Sequence, residues 1–588
     1  MKLSLAILTL SIPLVAPTDL GAAENNPITV AAEIDRQLAR AWKDASIEPA
    51  RPIDDAEFFR RGSLTITGRA PMPGALTAFV LDPDPAKRAA AVREWTESKD
   101  FAQNWARYWR DAIFYRAQEP RALIASPLLE SWLQSKFEAD SSWGEIATEI
   151  ITATGPVGEP GPTGLIFAQA GQPEEVAAET SRLFLGIQLQ CAQCHDHPYD
   201  SWSREQFHEL AAFFPRARLR RDGPQGPLGF AIVSTEVPKS NGRKAMRPEQ
   251  FVRRFDTNKD GKVSKDEATG DYRAVFTRAV NTVDRNKDGA LSLKEVEQFA
   301  IYLARRRGPA EHRMPDLENP QRPGKVMNPK FFLEDKSPGT SKGDLERRKA
   351  LARYVTSTEN PWFARAYVNR IWSELVGRGF VEPIDDLGPE RDVPFAQVFD
   401  TLSTGFAKSG YSTRWLVRTI TATRAFQNAA RPGDEKAETH FAAFASKRMR
   451  SDAFLDALVT ALGIPAAAPS QARQARAGRR AFDTLFGYDP SAPRDELGGT
   501  IPQALFLMNS PTVENGISER GPILGPLLRS KRDDREILTE LYLRVLARFP
   551  KDKELKTCAE YIAASERRND ALEDIFWCLV NSAEFGTN

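Results

Sequence analysis

The sequence predicts a mainly α fold: a multidomain helical scaffold with an inserted pair of oxygen-rich loops and minor β. Three observations predict it. Apolar residues return at helical spacing along the whole chain, as in Ile34, Leu38 and Trp42 and again in Leu538, Leu541, Tyr542, Val545 and Leu546. Pro- and Gly-rich breakers such as residues 155–162 separate the helical stretches, and alternating runs of strand type are few. Two acidic twelve-residue loops follow one another between the halves, at 256–267 and 284–295. The 588 residues suffice for about three to five domains. The breaks divide them into 1–23, a leader; 24–243, a helical domain; 244–308, the loop pair; 309–342, a linker; and 343–588, a C-terminal helical domain.

Taken in order, the chain opens with Lys2, an apolar run over residues 3–16 and small residues at Gly21-Ala22-Ala23. That is the pattern of a secretory signal peptide cleaved near Ala23, and it predicts an exported, periplasmic or extracellular protein. The run falls short of the roughly 20 residues that span a bilayer, and no later segment is apolar enough to do so. A helix through Ile34, Leu38 and Trp42 follows. Residues 58–71 read as a helix end, an extended stretch and a turn. Phe101, Trp105, Tyr108 and Trp109 form an aromatic stripe at helical spacing, read as core packing. Residues 174–189 read as one helix that delivers a thiol motif at its end, and residues 203–214 start the next.

That motif is Cys191-Ala192-Gln193-Cys194-His195, followed by Asp196-His197-Pro198. Two thiols three apart with an imidazole directly after are what covalent c-type haem attachment requires, both sulfurs reaching vinyl groups while the histidine meets iron. In that reading Cys191, Cys194 and His195 bind haem c, and His312, Met314 and Met327 are the candidate distal ligands. Two other readings stay open: structural zinc on Cys191, Cys194 and two of His195, His197 and His208, and a local disulfide or plain packing. The two remaining cysteines, Cys558 and Cys578, pair only if a helical hairpin brings them together.

The two acidic loops carry the clearest chemistry. In the first, Asp256, Asn258, Asp260, Lys262 (through its carbonyl), Ser264 and Glu267 occupy the ligand positions of an EF-hand calcium loop. In the second, Asp284, Asn286, Asp288, Ala290 (through its carbonyl), Ser292 and Glu295 do the same. Val263 and Leu291, at position eight, are placed to pair the loops across a short strand contact, with Phe251, Phe255, Phe276 and Phe299 as the pair's core. Asp256 and Asp284 stand only 28 residues apart, so the first exiting helix must be short. Two calcium sites with affinities on the order of 10⁻⁴ to 10⁻³ M are expected outside the cytosol.

Downstream, residues 351–355, 364–375 and a stretch holding Trp415, Val417 and Ile420 read as helices. Glu382, Asp385 and Asp386 cluster after a Gly-rich break and read as caps or partners of Arg370 and Arg378 rather than as a paired-carboxylate centre.

Residues 60–71, 101–111 and above all 184–214, with Phe184-Leu185-Gly186-Ile187-Gln188-Leu189-Gln190-Cys191, resemble the planctomycete cytochrome-type domain (domain of unknown function 1549). Asn360-Pro361-Trp362-Phe363-Ala364-Arg365-Ala366-Tyr367-Val368-Asn369-Arg370, Gly377-Arg378-Gly379-Phe380, Ala504–Pro511 and Asn581–Phe585 are similar to the domain that usually follows it (domain of unknown function 1553). The resemblance implies haem at the thiol motif. It departs from the family pattern at His208, where an aromatic residue is commoner, and in lacking a separate N-terminal cytochrome domain.

A formal net charge of +1 with 27% charged residues gives no overall field toward nucleic acid or an anionic membrane; a protein or surface partner is left unspecified. No nucleophile elbow, phosphate loop or dinucleotide fingerprint is present. The leading reading is an exported calcium-binding protein with a single c-type haem in electron transfer or another redox role. The alternative is a non-catalytic, calcium-stabilised scaffold with zinc or nothing at the thiol motif. No catalytic residue is assigned.

Overall fold

The computed structural model describes residues 25–222, 228–235, 248–270, 272–307, 311–319, 324–339, 342–465, 472–493 and 499–587, with side chains of 301–307 and of 472–474 and 476 excepted. The leader at 1–23 and the arginine side chains at 305–307 thus lie outside it. The described chain is mainly α, with only short strands.

The largest core draws on both helical halves. It runs from Val30, Ile34 and Leu38 on the Pro27–Asp44 helix, through Trp105 and Trp109 on Lys99–Phe114, to Tyr367 and Trp372 on Pro361–Val376 and Phe406 on Ala396–Lys408. The predicted aromatic stripe is fully inside: Trp105, Tyr108 and Trp109 are 0% exposed. At the seam the Trp109 ring lies 4.1 Å from Trp143 and stacks on Tyr367 at 5.4 Å, and Tyr367 in turn stacks on Phe406 at 5.0 Å. The tyrosine hydroxyl, which burial would leave unsatisfied, meets Thr413 Oγ1 at 2.6 Å. A second core gathers the C-terminal helices, with Phe454, Phe486, Leu538, Leu541, Tyr542, Phe576 and Phe585, and takes in Leu64 from the N-terminal half.

A buried ionic knot crosses the same seam. Asp385 is 0% exposed; its Oδ2 accepts from Arg182 at 3.0 Å and from Arg370 at 3.1 Å, and its Oδ1 accepts from Gln188 Nε2 at 2.8 Å. Ser491 Oγ accepts from both arginines, at 3.0 and 2.9 Å. Burial by itself pushes the Asp385 pKa up, but Arg370, Arg182 and Arg116 overrule it and hold the carboxyl at about 2.

Two local readings of the sequence are corrected. Residues 63–67 are not extended: the Asp55–Gly62 helix continues into a π-helical stretch, Ser63–Thr67. The β-branched Thr65-Ile66-Thr67 imitates a strand, yet Thr65 and Thr67 hydroxyls bond back to the carbonyls of Arg61 and Ser63, at 2.8 and 2.7 Å, and brace the wider turn. The helix before the thiol motif is Pro173–Leu185, ending at Gly186 rather than at 189. Gly186 takes φ +68°, and a Cβ there would press on Leu387 and Ala366, so glycine serves both the turn and the seam.

The loop pair is a module with its own core of Val252, Phe255, Val263, Phe276, Leu291 and Phe299. Phe251 packs against it half-buried. Its stems converge on Arg216: Thr235 N donates to the Arg216 carbonyl at 2.8 Å on the way in, and Arg216 pairs with Glu311 on the way out. Before it, Phe230–Ser234 pairs antiparallel with Ala217–Arg221 and with Gly155–Pro156. The linker that follows carries a small antiparallel pair, Arg313–Met314 with Lys325–Val326.

Because Arg182 and Arg370 keep their charge when Asp385 loses its own, Asp385→Asn is expected to lower unfolding stability by about 3–5 kcal/mol in urea denaturation. A variant as stable as the parent would show that the knot does not hold the seam.

Candidate functional site

The thiol motif sits on a single 3₁₀ turn, Gln190–Gln193. Ala192 is buried beneath it, while Cys191, Cys194 and His195 are exposed and both thiols are free. His195 Nδ1 lies 2.7 Å from the Asp196 carbonyl, an oxygen that can only accept, so Nδ1 carries the proton and Nε2 is left as the lone-pair nitrogen. The His197 side chain is tucked in: its Nδ1 accepts from Tyr199 N at 3.3 Å and lies 3.9 Å from Asp200. Asp200 in turn packs on Gly388, where any Cβ would collide with its carboxylate, and lies 3.4 Å from Arg391.

What pins the turn is the Gln193 carbonyl. It accepts from His208 Nε2 at 3.1 Å and Arg204 Nε at 3.3 Å, both delivered by the Arg204–Ala211 helix, whose Ser203 and Gln206 form a capping box. His208 Nδ1 then meets His312 Nε2 at 2.8 Å, the rings stacked with centroids 5.0 Å apart. Since Nε2 of His208 must donate to a carbonyl, its Nδ1 accepts and His312 donates. Both imidazoles are buried, which pushes their pKa values down to about 4.

Both nitrogens of His208 are engaged in this arrangement, Nε2 on the Gln193 carbonyl and Nδ1 on His312, while the other nitrogen of His312, Nδ1, lies 3.6 Å from Glu174. Met327 is 2% exposed and Met314 half-buried. Cys558 and Cys578 are both free, Cys558 with the Tyr542 hydroxyl 3.9 Å from its sulfur.

The acidic loops share their central hydrogen bonds, although Asp256 Oδ1 accepts from Asp260 N where Asp284 Oδ1 has no partner. Asp256 Oδ2 accepts from Gly261 N at 2.9 Å and Asp284 Oδ2 from Gly289 N at 3.0 Å. Asp260 and Asp288 take the amides of Lys262 and Ala290 at 2.9 and 3.0 Å; Glu267 and Glu295 take those of Ser264 and Ser292, both at 2.9 Å. Lys259 and Lys287 at position four and Gly261 and Gly289 at position six all have positive φ. The loops join through an antiparallel contact in which Val263 faces Leu291. The exiting helix of the first loop is reduced to a turn before Tyr272–Val283 begins.

The carboxylates point inward at the loops' own amides. Ser264 N and Oγ foremost, then the Asn258 amide, hold Glu267 down to about 2. In this closed arrangement no group of three or more His, Cys, Asp or Glu side chains among the described residues is placed to hold a metal ion. The donor set nevertheless fits a hard cation. Asp284 Oδ1 is shut off from solvent with no hydrogen-bond partner, a position a cation satisfies and an amide does not.

Residues 33–218 match the family PSCyt2, a protein of unknown function (DUF1549), and residues 347–485 match PSD1, a protein of unknown function (DUF1553). The chain joins a PSCyt2 domain to a PSD1 domain. An EF-hand match at 253–267 lies between them and covers the first loop. No curated protein and no solved structure matches the chain.

The PSCyt2 domain supplies the thiol turn, and the PSD1 domain supplies the acids that sequence alone could mistake for a catalytic pair. Asp385 is locked in the ionic knot, Asp386 pairs with Arg391 at 2.8 Å, and Glu382 accepts from Gly379 N at 2.6 Å. Arg378 acts on Glu382 only through its field. Where the domains meet, a cavity of about 470 Å³ is lined by Arg116, Gln188, Tyr488, Asp489 and Ser491 among others, its ionic groups already paired: Arg116 Nε lies 2.8 Å from Asp489. The His208–His312 pair escaped the sequence reading. The departure at His208 was its only signal.

Both imidazoles take a proton near the ordinary 6.5 once the chain unfolds but only near 4 while it is folded. The stability they contribute is whole above about pH 6.5 and lost as pH falls toward 4. Unfolding free energy is expected to drop by about 3 kcal/mol for each imidazole across that window, with a shallower drop in His312→Ala. Equal slopes in the two proteins would exclude the pair as the acid-sensitive element.

Proposed function

We propose that this protein is an exported calcium-binding protein that holds two calcium ions in its paired EF-hand loops. The observation that carries this reading is the repetition of the first loop's hydrogen bonds in the second, together with the solvent-shielded, unpartnered Asp284 Oδ1. Asp256, Asn258, Asp260, Ser264 and Glu267, with the Lys262 carbonyl, would hold one ion. Asp284, Asn286, Asp288, Ser292 and Glu295, with the Ala290 carbonyl, would hold the other. With the first exiting helix cut to a turn, the pair lacks the lever a sensor opens, and calcium acts as a clamp on the module. Export rests on the leader at 1–23.

A second element of the proposal is covalent haem c at Cys191 and Cys194 with His195 as its axial ligand, serving a redox role. What favours it is the open turn: two exposed free thiols beside an imidazole whose Nδ1 proton is fixed on a carbonyl, leaving Nε2 available. Haem would supply one-electron chemistry there. The chain's own part is to hold the turn rigid through Gln193, His208 and Arg204.

Calorimetric titration of the full chain should give two calcium ions, one after Glu267→Gln or Glu295→Gln, and none after both. Unchanged stoichiometry in the double variant overturns the loop assignment. Protein purified from its native host should show a Soret absorption band that Cys194→Ala abolishes, and a colourless native protein ends the haem reading.

A further inference from the structure

The two loops are coupled by more than their strand contact. Lys262 offers its carbonyl to the first loop, while its ammonium crosses to the second and lies 2.6 Å from Asp288 Oδ2. That same oxygen accepts from Asn286 Nδ2 at 2.9 Å, and Oδ1 accepts from the Ala290 amide at 3.0 Å. Both oxygens of the second loop's position-five ligand are therefore engaged, one of them by a cation rooted in the other loop. Strand register enforces this. Val263 and Leu291 pair and turn into the module's core, so the preceding Lys262, paired with Ser292, points to the opposite face where the second loop's acids lie.

We propose that Lys262 is a built-in competitor for calcium at the second loop, an ammonium and a divalent ion contending for the Asp288 carboxylate. The inference rests on the calcium reading above. A cation at the second loop must either draw Asp288 away from Lys262 or share it at close range with a like charge, and both weaken binding. Lys262 thereby ranks two loops of matching ligand composition: among the described residues no lysine is ion-paired with a first-loop acid, where Asp260 feels Lys262 only through its field, whereas Lys262 pairs directly with Asp288 in the second. A lysine that merely braced the strand contact would act in the opposite direction, since its loss would loosen the module and weaken both sites.

The test is calcium titration of the full chain carrying Glu267→Gln, so that only the second loop binds. Adding Lys262→Met should tighten binding about three- to tenfold at low salt, the gain shrinking as salt screens the charge. Lys262→Arg, which keeps charge and reach, should stay near the parent. Lys265→Met removes an equal charge from the first loop, where no acidic partner is seen, and should change little. Binding that is unchanged or weaker in Lys262→Met, or equally tightened in Lys265→Met, overturns the proposal. Circular dichroism without calcium verifies that each variant folds. A parent chain that takes up no calcium fails the underlying reading instead, a result distinct from an unaltered Lys262→Met.

Discussion

The interaction on which the rest depends is the charge-paired knot of Arg182, Asp385 and Arg370, buried between the two domains. Arg370 could not stay buried without Asp385, Arg182 divides its charge between Asp385 and Glu179 of its own helix, and Asp385 could not stay ionised without the arginines. Each domain therefore completes the other, and the aromatic stack of Trp109, Trp143, Tyr367 and Phe406 closes around the pairing. The knot also reaches the chemistry. Gln188, which donates to Asp385, lies one turn ahead of Cys191, so the entry to the thiol motif is anchored in the PSD1 domain although the motif belongs to PSCyt2.

The thiol turn is thus held from two sides and open on the third. Gly186 and Gln188 fix its approach, while the Gln193 carbonyl, gripped by His208 and Arg204, fixes its exit. Rigidity in the backbone with exposure of the reactive side chains suits attachment chemistry, since ordering is complete before the group arrives. The EF-hand module has the contrary design. It packs on its own core and is joined to the scaffold by stems that meet at Arg216. Its exit stem carries His312 to His208, which holds the thiol turn, so a single hydrogen bond ties the module's exit to that turn.

Much of this was legible in the chain. The EF-hand matched at 253–267 was, because its pattern is carried within twelve residues and the glycine at position six is dictated by the turn itself. The helices were, wherever a single apolar stripe faces a single core, as with Ile34, Leu38 and Trp42. Errors arose where local propensity and tertiary demand disagree. Thr65-Ile66-Thr67 is β-branched and yet π-helical because threonine hydroxyls satisfy the widened turn, and the helix before the thiol motif stops at Gly186 because Leu387 and Ala366 crowd that point from the other domain.

The sequence by itself determined the donor chemistry: two thiols and an imidazole in one short run, two oxygen-rich loops, and the helical periods that separate them. These are properties of neighbours along the chain, set by covalent spacing. Only the tertiary structure decided which histidines meet and which acid is structural. His208 and His312 are 104 positions apart and Asp385 is 203 from Arg182. Whether such groups meet is fixed by how the helices pack, and burial then sets their charge, neither of which a linear pattern encodes.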